Sequence, residues 1–263
     1  MTGVDIVFHT AALKHVHLSE KSPNQVINTN ILGIQNIISS ARSNKVGKVI
    51  FTSSDKAVNP TNIMGASKLM GERLISSAHI NRISDEQVFV STRFGNVLGS
   101  NGSVIPIFKD QINKGGPVTL TDPNMTRFVM TVEQSAKLVI DTAKIAQGGE
   151  VFVTKMPSIR IIDLAEIMIR FNSKKIKKDE NIIIQEIGVK PGEKLFEELI
   201  NSEEIRRTFE LENYYCILPA INNSKNHYHN IISKEIKSPY ISSPEISLTQ
   251  AELENFLVGN KLI

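Results

Sequence analysis

The sequence contains little cysteine and no tryptophan. Cys216 is the single cysteine among 263 residues, which excludes an internal disulfide framework. Nothing in its surroundings marks the thiol as reactive, and we interpret it as a small buried hydrophobe. We therefore expect a protein of a reducing, cytoplasmic compartment.

Long apolar runs and strong charge are also missing. No run approaches the roughly 20 apolar residues that span a bilayer, and the first five residues lack the pattern of a signal peptide. The net charge is +3, and the basic residues are not interleaved with the few aromatic ones, which make up 6% of the chain. We expect neither a membrane segment nor a nucleic-acid partner.

The chain lacks a glycine-rich dinucleotide fingerprint. Neither G-x-G-x-x-G nor G-x-x-G-x-x-G occurs, and the loop from Gly95 to Gly102 has a different spacing. The histidine pairs His15/His17 and His227/His229 lack a third ligand at compatible spacing, so no metal site is predicted.

Short apolar runs alternate with helical patterns in the first hundred residues. Residues 5–9, 48–53 and 87–92 are rich in β-forming residues, and each run is apolar almost throughout. Apolar residues recur every three or four positions over residues 23–43, and a second helix is predicted over residues 64–77. This order predicts a doubly wound α/β fold, a parallel sheet with helices on both faces. Ligands bind such sheets at the carboxyl ends of the strands.

Acid–base side chains follow the second predicted strand. The carboxyl of Asp55 and the amine of Lys56 can exchange protons with a bound ligand, although an exposed loop pair is the alternative. Met64 and Lys68 are four residues apart on one face of the next helix. Alternatively, Met64 fills the core and Lys68 is an exposed helix lysine.

Five blocks of sequence resemble one known family, in the order of that family. They are HTAALKHV from His9, SSDKAVNPTNIMGASK from Ser53, RFGNVLGS from Arg93, DPNMTRF from Asp122 and KPGEK from Lys190. The blocks resemble the UDP-N-acetylglucosamine 4,6-dehydratases of capsule and glycan synthesis, a branch of the extended short-chain dehydrogenase/reductase family. Met64 replaces the tyrosine of the wider family, as in the dehydratase branch, and so favours dehydration over plain 4-epimerisation.

The resemblance implies a reaction with NAD or NADP as cofactor and a UDP-sugar as substrate. Carbon 4 is oxidised, a base removes the proton on carbon 5, water leaves from carbon 6, and the hydride returns to carbon 6. Ser54 is implied as the partner of the 4-oxygen, Asp55 as the acid and Lys56 as the base. Met64 cannot ionise, so the hydroxyl proton passes to another group or to water.

Further residues are implied as binding groups by their positions in the family pattern. The cofactor-binding set is Thr10, Ala11, Ala12, Asn30, Ser53 and Lys68, with Lys68 on the nicotinamide ribose. The substrate-binding set is Lys14, Asn96, Arg127, Lys190 and Glu193, in which Arg127 and Lys190 face the diphosphate and Glu193 faces the uridine ribose. Each residue has an ordinary alternative: strand-end alanines, a surface charge, or an asparagine that satisfies a backbone group.

The change of pattern from Pro106 onward, together with the resemblance, predicts a division of the chain. Residues 1–105 are predicted to form a partial Rossmann domain with the catalytic segment, and residues 106–220 a mixed α/β substrate-binding lobe with returning sheet elements. Residues 221–263 are predicted as a polar tail with a short terminal helix. The family's first strand and glycine turn would precede Asp5, so we expect an N-terminally incomplete Rossmann-like sheet with unpaired edges.

Three functional hypotheses remain open from the sequence. The chain is part of a 4,6-dehydratase, part of a related UDP-sugar 4-epimerase or 5-epimerase, or an inactive remnant that binds a UDP-sugar or a partner subunit. An incomplete sheet exposes unpaired edges and an apolar face that another polypeptide must cover. We therefore expect a homo-oligomer or association with a polypeptide that supplies the missing amino-terminal part.

Overall fold

The structure is a computed structural model that describes residues 1–176, 182–221, 228, 231–243 and 246–263, with the backbone alone for residues 173–176. It divides into two compact units. Unit 1 comprises Met1–Phe94, Ala136–Lys155 and Glu198–Tyr240, and unit 2 comprises Gly95–Ser135, Met156–Glu197 and Ile241–Ile263. Both units are discontinuous in sequence, which differs from the three consecutive parts expected above.

The elements have the following bounds. The strands are β1 (Ile6–His9), β2 (Lys48–Ser54), β3 (Val88–Phe94), β4 (Asn96–Val97), β5 (Val118–Leu120), β6 (Thr126–Met130), β7 (Val151–Thr154), β8 (Ser158–Arg160), β9 (Ile184–Glu186), β10 (Glu198–Ile200), β11 (Thr208–Leu211), β12 (Tyr214–Ile217), β13 (Ile231–Ser233) and β14 (Tyr240–Ile241). The helices are α1 (Val16–Lys21), α2 (Pro23–Val26), α3 (Gly33–Ser43), α4 (Ile63–Ile80), α5 (Val104–Asn113), α6 (Val132–Ile145), α7 (Ile161–Ile176) and α8 (Gln250–Gly259). A π-helical segment, Ile27–Leu32, joins α2 to α3, and Asp55–Ala57 forms a 3-10 turn after β2.

Unit 1 is built on a seven-stranded sheet in the order β1-β2-β3-β7-β12-β11-β13. The first four strands are parallel, whereas β12, β11 and β13 join in antiparallel fashion. Because β1, β2 and β3 are parallel neighbours, their carboxyl ends lie at one edge of the sheet. That edge carries the loops in which the sequence predicted ligand-binding residues.

Helices cover both faces of this sheet. On one face, α3 and α4 pack on β2 and β3 through a cluster that includes Ile34, Ile75 and Phe89. On the other face, Leu138 and Ala143 of α6 pack with Phe152 of β7. Alternate side chains of the buried strands enter the two clusters, as the apolar runs require. The predicted α/β fold with a doubly covered parallel sheet is confirmed.

Unit 2 has its own core beside smaller sheets. Strand β6 pairs in parallel with β4 and in antiparallel with β8, while β5 pairs in parallel with β9. Apolar residues of α5, α7 and α8 share one cluster with Leu120 and Val129. The terminal helix α8 begins after Thr249, which forms a capping box with Glu252.

Strand β1 is the terminal strand of the large sheet. Among the residues that the structure describes, no strand pairs with its outer edge. Ile6 and Phe8 on this strand are 43% and 45% exposed, and Leu18 and Leu32 nearby in sequence are also exposed. An unpaired apolar edge of this kind readily accepts another strand.

Candidate active site

The Ser54–Asp55–Lys56 segment lies at the end of β2. Ser54 is the last residue of the strand, and Asp55 and Lys56 belong to the 3-10 turn that follows. The Oδ1 atom of Asp55 accepts three hydrogen bonds: from Ser54 Oγ at 2.6 Å, from the Lys56 backbone N–H at 2.8 Å and from Lys56 Nζ at 3.0 Å. The Asp55 side chain is 1% exposed and that of Lys56 is 22% exposed. The structure therefore brings the three predicted catalytic side chains together around one carboxylate oxygen.

The start of α4 is fixed against this segment. Asn62 caps the helix by accepting a hydrogen bond from the Gly65 backbone N–H at 2.8 Å. A Cβ atom on Gly65 would lie 2.2 Å from the Lys56 carbonyl oxygen, so glycine is required for this close approach. Met64 is buried, at 4% exposure, and its thioether can neither donate nor accept a reaction proton.

Lys68 lies one turn further along α4 and is 6% exposed. Its Nζ donates to the Thr52 carbonyl oxygen at 2.7 Å and lies 4.8 Å from the centre of the Phe51 ring. Burial lowers the pKa of Lys68 from 10.5 to about 8, and the nearby Glu72 carboxylate opposes this shift. Lys68 is therefore not the exposed helix lysine of the alternative reading.

Asn30 holds the loop that follows β1. Its Oδ1 accepts from the Leu13 backbone N–H at 2.8 Å, and its Nδ2 donates to the Leu13 carbonyl at 3.0 Å and to Ser67 Oγ at 2.9 Å. The residue is 2% exposed and lies in the π-helical segment, an irregularity frequent at functional sites. Its amide thus positions the loop of Thr10, Ala11 and Ala12, and a direct cofactor contact by Asn30 stays a prediction.

In unit 2, Arg127 binds backbone carbonyls of its own unit. Its Nη1 donates to the carbonyl oxygens of Thr126 at 2.7 Å and Leu195 at 3.2 Å, and its Nη2 donates to Lys194 at 2.8 Å. Its Nε lies 3.7 Å from Glu197 Oε1. Arg127 therefore ties β6 to the segment after Lys190, and its contact with a diphosphate stays a prediction.

The other predicted substrate residues of unit 2 differ in their surroundings. Asn96 Nδ2 donates to the Phe128 carbonyl oxygen at 3.2 Å. Lys190 is exposed and its carbonyl accepts from the Glu193 backbone N–H at 3.1 Å, which closes the K-P-G-E turn. Glu193 Oε2 is buried without a hydrogen-bond partner among the described residues. A buried acceptor in this state is suited to a ligand hydroxyl.

Comparison with known families places these residues in context. The family described as polysaccharide biosynthesis protein matches residues 1–219. The chain belongs to this family.

Named relatives of this polysaccharide biosynthesis family include enzymes of two activities. The chain is 50% identical over 200 residues to the capsular polysaccharide biosynthesis protein CapD of Staphylococcus aureus, covering 76% of this chain and 33% of CapD. It is 42% identical to the inverting UDP-N-acetylglucosamine 4,6-dehydratase of Campylobacter jejuni, covering 84% of this chain and 64% of the relative. It is 45% identical to a UDP-glucose 4-epimerase of Rickettsia bellii, covering 82% and 62% respectively. The chain thus spans less than two thirds of the length of these three relatives.

A solved structure supports the same family assignment. The X-ray structure of Pen from Bacillus thuringiensis is 44% identical, with a TM-score of 0.91, and the match covers all of this chain and 77% of that one. More distant neighbours, such as the dTDP-glucose 4,6-dehydratase DesIV of Streptomyces venezuelae at 20% identity and a TM-score of 0.65, share the fold. The Rossmann-like fold predicted from the sequence is confirmed by these neighbours.

The residues of unit 1 fit part of a nicotinamide cofactor. Ser53 Oγ is buried and has no hydrogen-bond partner among the described residues, and Lys68 presents a buried ammonium on the neighbouring helix. Thr10 and Ala11 are exposed at the end of β1. The glycine fingerprint of a pyrophosphate cradle does not occur in these 263 residues.

Several residues of the site were missed from the sequence. Gly65 allows the close approach described above, Phe51 lies beside the Lys68 ammonium, and Glu20 accepts the Ile63 backbone N–H at 2.7 Å at the start of α4. A glycine in a helix pattern directly after a predicted catalytic loop is the signal that could have found Gly65. The role of Phe51 depends on the packing of α4 on β2, which no local pattern indicates.

Two further findings concern metals and membranes. Within the described ranges, no group of three or more histidine, cysteine, aspartate or glutamate side chains is arranged to hold a metal ion. His227 and His229 lie outside the described residues. No helix in the described part of the chain is long and apolar enough to cross a bilayer.

Proposed function

We propose that this chain carries the catalytic segment of a UDP-N-acetylglucosamine 4,6-dehydratase in polysaccharide biosynthesis. The observation that carries the proposal is the shared contact of Ser54 and Lys56 with one oxygen of the buried Asp55. A dehydration needs a base and an acid within reach of adjacent carbons, and these side chains provide both.

Lys56 and Asp55 divide the proton transfers in this proposal. Lys56 takes the proton from carbon 5 of the sugar, and its partly exposed amine can reach a ligand without a large rearrangement. Asp55 gives a proton to the leaving hydroxyl on carbon 6. Ser54 Oγ, which donates its own proton to Asp55 Oδ1, accepts a hydrogen bond from the 4-hydroxyl. The proton that Lys56 takes up returns to carbon 5 after the hydride has reached carbon 6. The proton released by the oxidised 4-hydroxyl passes through Ser54 Oγ and restores Asp55.

Lys68 and Ser53 hold the cofactor in this scheme. When bound, NAD or NADP accepts a hydride from carbon 4 and returns it to carbon 6. The buried ammonium of Lys68 donates to ribose hydroxyls, and Ser53 Oγ gains the partner that it lacks among the described residues. In unit 2, we propose that Glu193 accepts from the uridine ribose, and that Lys190 and Arg127 face the diphosphate. Lys14 and Asn96 are proposed contacts of the sugar or phosphates.

We propose that residues beyond these 263 supply the cofactor cradle. We propose that a βα segment with a glycine turn pairs with the outer edge of β1, supplied either by more of the same polypeptide or by a partner chain. Two observations support this pairing. Ile6 and Phe8 on β1 are exposed, and the matches leave more than a third of the length of two relatives uncovered. A homo-oligomer is the other way to cover this edge.

A UDP-sugar 4-epimerase is the second candidate. The similarity to a protein named UDP-glucose 4-epimerase, at 45% identity, favours it. Met64 weighs against it, because an epimerase of the wider family uses a tyrosine at this position for the hydroxyl proton, and a thioether cannot do this.

Mass spectrometry separates the two candidates. A form of the protein with the upstream segment should convert UDP-N-acetylglucosamine to a product lighter by one water, whereas an isomer of unchanged mass would replace the dehydratase proposal.

The third candidate is an inactive remnant that binds a UDP-sugar without converting it. If the extended form binds UDP-N-acetylglucosamine in calorimetry but leaves its mass unchanged and forms no epimer, the chain acts as a binding protein and the enzymatic proposal fails. Sequence upstream of Met1, in frame or in an adjacent reading frame, decides whether such a form exists.

A further inference from the structure

A buried cluster of three charged side chains lies beside the candidate active site. Arg93 of β3 is 1% exposed, and Glu72 and Glu204 are 4% and 3% exposed. Arg93 donates five hydrogen bonds of 2.7 to 2.8 Å: two to Glu72, two to Glu204 and one to the Leu199 carbonyl oxygen. The guanidinium therefore holds both carboxylates in a fixed planar geometry.

This cluster is a costly way to gain stability. Desolvation of buried ion pairs offsets much of their attraction, and apolar residues of similar volume often stabilise a core as well. Arg207, whose side chain is 12% exposed, places a second guanidinium 3.4 Å from Glu204 Oε1, so four charged groups are withdrawn from water together. Such an arrangement is better explained by the geometry that it imposes than by the stability that it adds.

The Arg93 cluster adjoins each element of unit 1 that carries a proposed catalytic residue. Glu72 lies on α4 four residues after Lys68 and eight after Met64, hence on the same face of the helix. Arg93 is the register partner of Ser53 at the end of β2. Glu204 belongs to the segment after β10, and β10 packs against the Asp55–Ala57 turn.

A second bond joins the same segment to the catalytic turn. Asn59 Nδ2 donates to Glu198 Oε2 at 2.7 Å, and Glu198 begins β10. The segment that carries Glu204 thus contacts the loop after Lys56 at one end and Arg93 at the other.

We propose that Arg93 is a positioning residue, which with Glu72 and Glu204 locks the helix of Lys68 to the turn of Ser54, Asp55 and Lys56. The catalytic meaning of this lock rests on the proposed function, whereas the lock itself does not. The charged and polar groups that face Lys68 are Glu72 on its own helix, His9 on β1 and the Thr52 carbonyl on β2.

The test uses a variant that leaves α4 itself unchanged. Glu204→Gln removes one charge at the far side of Arg93, and Glu150→Gln is the matched control. Glu150 is also a fully buried carboxylate of unit 1, but its contacts include Tyr228 Oη and the backbone N–H groups of Gln147 and Gly148. Hydrogen exchange followed by mass spectrometry is measured on the 263-residue chain, with global stability from urea unfolding.

The lock predicts a local effect of Glu204→Gln. Amide exchange in peptides of residues 54–60 and 63–70 should rise at least tenfold beyond the change expected from global stability, and the titration of Lys68 in nitrogen-15 NMR should shift. Glu150→Gln should do neither. Equal local exchange in the two variants at matched global stability would overturn the proposal. If Glu204→Gln does not fold, Glu204→Asp, which retains the charge on a shorter arm, is measured in the same way and should show a smaller rise.

Turnover separates the two proposals. In an extended form that converts substrate, Glu204→Gln should lower kcat about tenfold with KM unchanged, and an unchanged kcat would reject a positioning role. If the wild-type form shows no turnover, the proposed function fails while the exchange data still decide on the lock.

Discussion

Lys56 contacts Asp55 Oδ1 at 3.0 Å and retains partial exposure, a combination suited to a base that receives a proton and passes it on. In an extended form that turns over, Lys56→Met should abolish the incorporation of solvent deuterium at carbon 5, because methionine has a similar length but no basic nitrogen. NMR of the recovered nucleotide sugar in deuterated buffer measures this. Incorporation at the wild-type rate would remove Lys56 as the base.

Lys68 gives a prediction about pH and stability. Its pKa is about 8 when folded against 10.5 when unfolded, so between these values the unfolded chain binds more protons and stability rises with pH. The gain is about 3 kcal/mol at most, from roughly 1.4 kcal/mol for each pKa unit. In Lys68→Met this rise in the free energy of unfolding should be missing. Urea unfolding of both proteins from pH 7.5 to 10 measures the difference. Parallel pH curves for the two proteins would contradict the burial of a charged Lys68.

Part of the candidate site is predictable from single residues of the sequence. The order and spacing of Ser54, Asp55, Lys56 and Lys68 match a family pattern, and the structure joins the first three through Asp55 Oδ1. The fixed contacts of Asn30 and Arg127 were not foreseen in detail. Their partners, Leu13 and Lys194, are backbone groups 17 and 67 positions away.

At the scale of elements, α4 depends on Gly65. In Gly65→Ala, the added Cβ would meet the Lys56 carbonyl oxygen at 2.2 Å, so the helix or the catalytic turn must shift. We expect a loss of about 1–3 kcal/mol, as for other overpacked sites. Gly33→Ala is the control, because the nearest atom to its Cβ would be the Asn28 carbonyl oxygen at 3.7 Å. The control should be neutral or stabilising by up to about 1 kcal/mol. Equal unfolding midpoints in the two variants would contradict the close approach.

The elements themselves were largely predictable. The strand expected over residues 48–53 is observed as Lys48–Ser54, and the helix expected over residues 64–77 as Ile63–Ile80. The helix over residues 23–43 is observed, but with the π-helical segment Ile27–Leu32 inside it. An apolar period of 3.6 does not reveal this segment, because the stripe of isoleucines continues on both sides.

At the scale of the whole molecule, the discontinuous units could not be read from local patterns. Strand β12 returns to the sheet of unit 1 by pairing with β7, which connects residues about 60 positions apart, and β11 pairs with β12. The Arg93 cluster joins residues 106 and 111 positions apart. Such contacts are decided by tertiary packing, so the sequence order suggested consecutive domains instead.

The 263-residue chain contains no glycine turn of the kind that holds a cofactor pyrophosphate. We expect the 263-residue protein to bind NAD and NADP weakly or not at all, because the helix N-terminus and glycine turn that hold the pyrophosphate are absent from its sequence. Isothermal titration calorimetry on the purified chain measures this, with an upstream-extended form as the control. Tight, stoichiometric cofactor in the purified chain would contradict it.

The central claim is that the Ser54–Asp55–Lys56 segment serves a dehydration with internal return of hydrogen to carbon 6. The most direct measurement supplies the extended form with UDP-N-acetylglucosamine that carries deuterium on carbon 4 and locates the label by NMR. We predict a 4-keto-6-deoxy product with the deuterium on carbon 6. Deuterium that remains on carbon 4 of an epimerised sugar would contradict it and establish the epimerase instead.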